Sequence, residues 1–161
     1  MKKIIISTFL LMGLAFANEA YKPKFDKVSV AGSEIYVLAD DVEEALEDGM
    51  VDQFWLAELI NNNKPLPKGV TLVDLREDYK YKAQHIKGAI NLPFDMKSEK
   101  MDFSKIPADG VVIFYCDKGV KSMTARTKLD EKLASRVFAF DATFKCDENN
   151  TNCTLTPNEA I

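Results

Sequence analysis

The chain has 161 residues and a formal net charge of −4, with acidic and basic residues dispersed rather than blocked. An acidic chain of this kind argues against nucleic-acid binding. One histidine and a spaced pair of cysteines do not make a metal ligand set, so no metal or other cofactor is expected.

The N-terminus has the three parts of a secretory signal peptide. Lys2 and Lys3 give the positive region, Ile4 to Phe16 the apolar run, and Ala15-Phe16-Ala17 a small-x-small cleavage site. Residues 1–17 are therefore read as a signal peptide and Asn18 as the mature start, with an uncleaved anchor as the competing reading. The run falls short of the roughly 20 residues of a membrane span, and no later stretch reaches that length. The expectation is a periplasmic or secreted protein with no stable membrane insertion after cleavage. About 144 residues would remain, with a formal charge of −6, enough for one domain with its own core.

Val28, Val30, Ile35 and Val37 alternate around Ala31-Gly32-Ser33, which predicts a hairpin of short strands. Asp40 is placed to cap a short acidic helix stopping at Asp48-Gly49. Phe54, Trp55, Leu56, Leu59 and Ile60 form one helical face, read as core rather than as a binding platform. Residues 64–69 are a connector. Val70 to Leu75 reads as a strand, Asp78 to Gln84 as a helix, and Ala89 to Leu92 as a strand closed by Pro93. Val111 to Tyr115 is continuously apolar, as in a strand buried on both faces. Ala125, Leu129 and Leu133 recur at helical spacing, and Val137 to Phe140 is the last expected strand. Strands alternating with helices predict an α/β domain around a mainly parallel sheet flanked by helices, with an N-terminal hairpin and helix extension.

In such sheets reactive groups sit beyond the carboxyl ends of the strands. Cys116 occupies that place, followed by Asp117-Lys118-Gly119-Val120-Lys121-Ser122. Gly119 lets the loop curl, Lys118 and Lys121 bring positive charge, and a helix start adds free N–H groups. These favour an anionic sulfur species, whereas Asp117 opposes it unless it points outward. The bland alternative is a buried structural cysteine, and spacing leaves both open. Cys146 and Cys153 lie close together in a polar tail and are assigned to a disulfide, which leaves Cys116 free. So short a closed loop stabilises by about 2–3 kcal/mol.

Three further segments turn these features into a resemblance. Val73-Asp74-Leu75-Arg76-Glu77, then His85 to Pro93, and then the Cys116–Ser122 loop resemble the leading signatures and active-site loop of the rhodanese family. Asp141-Ala142-Thr143-Phe144 stands where that family has an Asp-Gly-Gly-Phe turn. The resemblance covers residues 70 to 144; residues 18 to 62 carry none. It implies the rhodanese-like α/β fold and a sulfurtransferase in which Cys116 takes sulfane sulfur from thiosulfate or polysulfide. The backbone of Asp117, Lys118, Gly119, Val120, Lys121 and Ser122 would cradle the persulfide, and a thiol, cyanide or protein acceptor would remove it. Phosphatase relatives carry arginine six positions after the cysteine; here that position is Ser122. Departures from the family pattern are Lys80 for an acidic residue, Gln84 for glycine, Lys121 for arginine, and Ala142-Thr143 for two glycines.

Asp74 and Arg76 are expected to fix the loop by charge-assisted hydrogen bonds, and His85 to be buried scaffold rather than a catalytic base. The domain plan is 1–17 signal peptide, 18–64 an extension packing on the domain, and 65–161 the rhodanese-like domain with its cysteine tail. Two other functions stay open: a non-catalytic rhodanese-like binding module, and a thiol redox protein exchanging Cys116 with Cys146 and Cys153. The Asn149-Asn150-Thr151 sequon is read as a polar loop.

Overall fold

A computed structural model describes residues 27–37, 42–147 and 153–158. The expected signal peptide, the capping Asp40 and the Asn149-Asn150-Thr151 sequon lie outside the described residues. Strands β1 (Lys27–Val30) and β2 (Ser33–Tyr36) pair as an antiparallel hairpin in the register Val30↔Ser33. Ala31 and Gly32 both take positive φ, 46° and 77°, the turn geometry that matches the twist of a two-residue hairpin. Helix α1 (Val42–Asp48) ends at Gly49, whose φ is 59°. A side chain at Gly49 would collide with the Arg126 guanidinium, which lies against the helix end and donates to the carbonyl of Leu46 at 3.0 Å.

Helix α2 (Gln53–Asn61) starts where Asp52 accepts from the amides of Phe54 and Trp55 at 2.8 and 3.0 Å, a side-chain N-cap. Leu56 and Ala57 face inward, and Trp55 packs at an angle against Tyr36 with ring centroids 5.6 Å apart. Phe54 departs from the expected core face: it is 42% exposed, because it sits in the first turn on the side away from the buried Leu56.

The central sheet is parallel, in the order β4-β3-β5-β6. It comprises β3 (Val70–Asp74), β4 (Ile90–Asn91), β5 (Val111–Tyr115) and β6 (Val137–Ala139). Helix α3 (Asp78–Ala83) lies in the β3–β4 connection, and a 3₁₀ turn (Phe103–Lys105) precedes β5. All five residues of β5 are buried, and the pleat sends them alternately to two cores. Val111, Ile113 and Tyr115 join Leu72, Phe138, Leu56 and the hairpin residues Val28 and Ile35. Val112, Phe114 and Cys116 join Val73, Leu75, Ala125 and Val137. The segment before α2 docks on the open edge of β6, where Ala139 donates to Gly49 and accepts from Val51 at 2.8 and 3.1 Å.

After β5 the chain departs from a single expected helix. Helix α4 (Val120–Arg126) stops, and a separate turn α5 (Glu131–Ala134) begins where Asp130 accepts from the amide of Leu133 at 2.8 Å. The capping aspartate restarts the backbone hydrogen bonding and breaks the helix between Ala125 and Leu133. The cysteine tail is also more ordered than expected. It forms a second antiparallel hairpin, β7 (Ala142–Cys146) with β8 (Cys153–Pro157), closed by the Cys146–Cys153 disulfide. Asn61 fastens β8 to α2 by exchanging two hydrogen bonds with the backbone of Leu155, at 2.8 and 2.9 Å.

Replacing Cys146 and Cys153 together by serine is expected to lower stability by about 2–3 kcal/mol through the lost loop constraint. The check is a fall in the urea midpoint at unchanged slope.

Candidate functional site

The site lies at the carboxyl end of β5. Alternation along that strand puts Cys116 on the face of Val112 and Phe114, under Ala125 of α4. Cys116 is 4% exposed and is the free cysteine among the described residues. The next residues curl back at Gly119, whose φ is 82°. A side chain there would meet the carboxylate of Asp141, so both the backbone angle and the close approach require glycine. Among the described residues, the amides of Asp117, Lys118, Gly119, Val120, Lys121 and Ser122 donate to no acceptor, and the first bond of α4 runs from Met123 to the carbonyl of Gly119 at 3.1 Å. Successive free amides in a turned loop form an anion-binding concavity.

Ser122 sits where a phosphatase would need its arginine. Its hydroxyl is buried and held by the carbonyls of Gly119 and Phe140 at 2.6 and 3.1 Å. It is a structural peg for the loop, and it supplies no charge.

Asp74 and Arg76 form a buried pair at the end of β3, 0% and 5% exposed at their side chains. The Asp74 carboxylate accepts from Arg76 Nε and Nη2, the latter at 2.7 Å, and from the Arg76 amide at 2.9 Å. The guanidinium also donates to the carbonyl of Gln84, reaches Asp117 at 3.5 Å, and lies 4.5 Å from the centre of the Phe144 ring. Asp117, the residue expected to oppose an anionic sulfur, is thereby engaged: Lys80 donates to its second oxygen at 2.6 Å. That bond raises the Lys80 ammonium above its ordinary pKa.

Lys121 does not bring the open positive charge to the loop that was expected of it. It is 16% exposed and donates to Glu77 at 2.8 Å. Lys118 has no ion-pair partner among the described residues; its side chain is exposed and its carbonyl accepts from Asn158 at 3.3 Å. The C-terminal hairpin braces the loop from the other side, with the amide of Phe144 donating to the carbonyl of Asp117 at 3.1 Å. Glu77, Lys80, Asp141 and Asn158 were not legible as site residues. Two signals pointed toward them: the lysine at 80 in place of an acidic residue, and the charged Glu77 just after Arg76.

The hydrogen bond from Lys121 lowers the Glu77 carboxyl to about 2. A carboxyl depressed on folding contributes stability above its unfolded pKa and loses it as pH falls toward the folded value. The contribution is therefore present above about pH 4.5 and lost toward pH 2. Because Glu77 is half exposed, solvent screening holds the effect to about 0.5–1 kcal/mol. Glu77→Gln is expected to flatten the urea-midpoint profile between pH 5 and 3 by about that amount; an equally steep profile in the variant would contradict the assignment.

His85 is not the buried scaffold expected of it. It is exposed, stacks on Tyr81 with ring centroids 4.0 Å apart, and has Nδ1 2.8 Å from the Tyr81 carbonyl. It lines a cavity of about 640 Å³, with Ile60, Leu66, Leu72, Ile86 and Cys153 among the walls.

The family model described as the rhodanese-like domain matches residues 52–145. The chain is 27% identical over 89 residues to the probable adenylyltransferase/sulfurtransferase MoeZ of Mycobacterium tuberculosis, a match covering 55% of this chain and 22% of MoeZ. It is 39% identical over 57 residues to M-phase inducer phosphatase 1 of Rattus norvegicus, covering 32% of this chain and 11% of that protein. The chain thus spans less than a quarter of the curated relatives it matches. The single-domain sulfurtransferase RDL2 of Saccharomyces cerevisiae aligns with a TM-score of 0.35 at 23% identity, over 55% of this chain and 78% of that one.

Proposed function

The chain belongs to the rhodanese-like domain family, and from that membership we propose that it is a sulfurtransferase carrying sulfane sulfur as a persulfide on Cys116. One observation carries the reading: a buried, unpaired thiol at the end of the central strand is followed by six successive amides with no acceptor among the described residues. The Cys116 thiolate attacks the outer sulfur of thiosulfate or a polysulfide. A new S–S bond forms, the donor S–S bond breaks, and sulfite or the shortened polysulfide leaves with the electron pair. The amides of residues 117–122 hold the outer sulfur of the persulfide. A thiol, cyanide or protein acceptor then takes that sulfur and restores the thiolate, completing a two-step covalent cycle. Arg76 is a positioning residue: it ties Asp74 to Asp117 and so fixes the first turn of the loop.

Phosphoryl transfer is the reading that the likeness to a phosphatase raises. The inward-facing hydroxyl of Ser122 counts against it, since no guanidinium stands at that place to clamp a transferring phosphoryl group. Export is part of the proposal: the signal-like first 17 residues and the Cys146–Cys153 disulfide support an oxidising compartment. The test is thiocyanate formation from cyanide with thiosulfate or polysulfide as donor. Turnover with either supports the reading; none with either or with an organic persulfide, on folded protein with Cys116 reduced, overturns it.

A further inference from the structure

Six charged side chains around the Cys116 loop are paired with one another, while the Asp141 carboxylate accepts from Asn158. Lys121 donates to Glu77 at 2.8 Å, and Lys80 lies 3.6 Å from the other Glu77 oxygen and 2.6 Å from Asp117. Asp117 lies 3.5 Å from Arg76, which pairs with Asp74 at 2.7 Å. Asp74, Glu77 and Asp117 thus balance Arg76, Lys80 and Lys121. Lys118 is left as a loop cation without an ion-pair partner among the described residues.

Open cations or a bidentate clamp add most to the binding of a dianionic oxyanion, and of the two loop lysines Lys121 is the one held away by a carboxylate. To reach Lys121 the oxyanion would have to displace Glu77, whose own negative charge repels it at close range. An organic persulfide attacked as R–S–SH carries no charge of its own and expels a singly charged thiolate, for which the loop amides suffice.

We propose that Glu77 is a specificity-determining residue that withholds Lys121 from the donor, so that the site selects organic persulfides over thiosulfate. The proposal rests on the sulfurtransferase reading. With a persulfide, the Cys116 thiolate attacks the terminal sulfur of R–S–SH. The Cys116 S–S bond forms, the donor S–S bond breaks, and RS⁻ leaves with the electron pair, while the proton stays on the transferred sulfur. With thiosulfate the same attack expels sulfite, whose two negative charges meet Glu77 on the way out.

The test compares wild type, Glu77→Gln and Glu77→Gln combined with Lys121→Gln. The donors are thiosulfate and 2-hydroxyethyl persulfide, with cyanide as acceptor. Wild type is expected to have the higher kcat/KM for the persulfide. Glu77→Gln is expected to raise the thiosulfate-to-persulfide ratio of kcat/KM about fivefold, mainly through the KM for thiosulfate. The double variant is expected to lose that gain, because the freed ammonium is its source. Glu77 makes no side-chain capping bond to α3, so its loss leaves the helix start intact; Glu77→Ala is a second route to the same release. An unchanged ratio in both Glu77 variants, or a gain that survives removal of Lys121, would overturn the proposal. Absence of sulfur loading on wild type from either donor would instead overturn the sulfurtransferase reading, and this inference with it.

Discussion

Cys116→Ala is expected to lower sulfur transfer from either donor by on the order of 10³-fold or more, with the fold kept. No other thiol stands ready: Cys146 and Cys153 are joined to each other. Alanine suits the site better than serine. Cys116 is 4% exposed, in the core shared with Val73, Leu75, Val112 and Phe114, and a hydroxyl there would be buried in apolar surroundings at a cost of about 1–3 kcal/mol. Near-ultraviolet circular dichroism matching wild type, together with lost turnover, is the expected pair of results. The same substitution separates the alternatives. A binding module would keep its function without the sulfur, and a redox protein would lose it equally on replacement of Cys153.

Asp74→Ala is expected to destabilise the fold by about 3 kcal/mol or more, because it leaves the Arg76 guanidinium buried without its main counter-ion. Asp74 is fully buried and receives both the side chain and the amide of Arg76. Asp117 reaches the guanidinium only at 3.5 Å, through an oxygen on the half-exposed side, so it does not compensate. For a domain of this size that loss lowers Tm by roughly 10 °C, readable by thermal unfolding. Asp74→Leu with Arg76→Met is expected to recover most of it, since a buried ion pair contributes little over apolar residues of similar volume. Activity is expected to stay reduced in the double variant, because the contact from Arg76 to Asp117 is then lost. Recovery of both stability and activity would show that Arg76 is a structural pair alone.

The features written locally were legible in the sequence. The five-residue apolar run of β5 located the central strand and put Cys116 at its end. The Ala31-Gly32 turn and the alternating valines located the first hairpin, and the odd cysteine count left Cys116 free. Features set by partners far along the chain were not. The β7–β8 hairpin pairs strands with only Phe144 and Leu155 as strongly apolar buried contacts, so its alternation was too sparse to stand out from a polar tail. The break between α4 and α5 depends on one aspartate, Asp130, inside an otherwise continuous helical period. Lys121 read as a free cation because Glu77 is 44 residues away in sequence. Asp117 read as an obstacle because Lys80, 37 residues away, is the side chain that engages it. Single-chain periodicity carries no information about such pairings, which arise when the parallel crossover brings the start of α3 beside the start of α4.

Sulfur carriage on Cys116 is read most directly from the intact mass of the protein after anaerobic incubation with thiosulfate, polysulfide or an organic persulfide. A gain of one sulfur atom is expected, absent in Cys116→Ala and removed by cyanide. Unchanged mass with all three donors, on folded protein with Cys116 reduced, would contradict it.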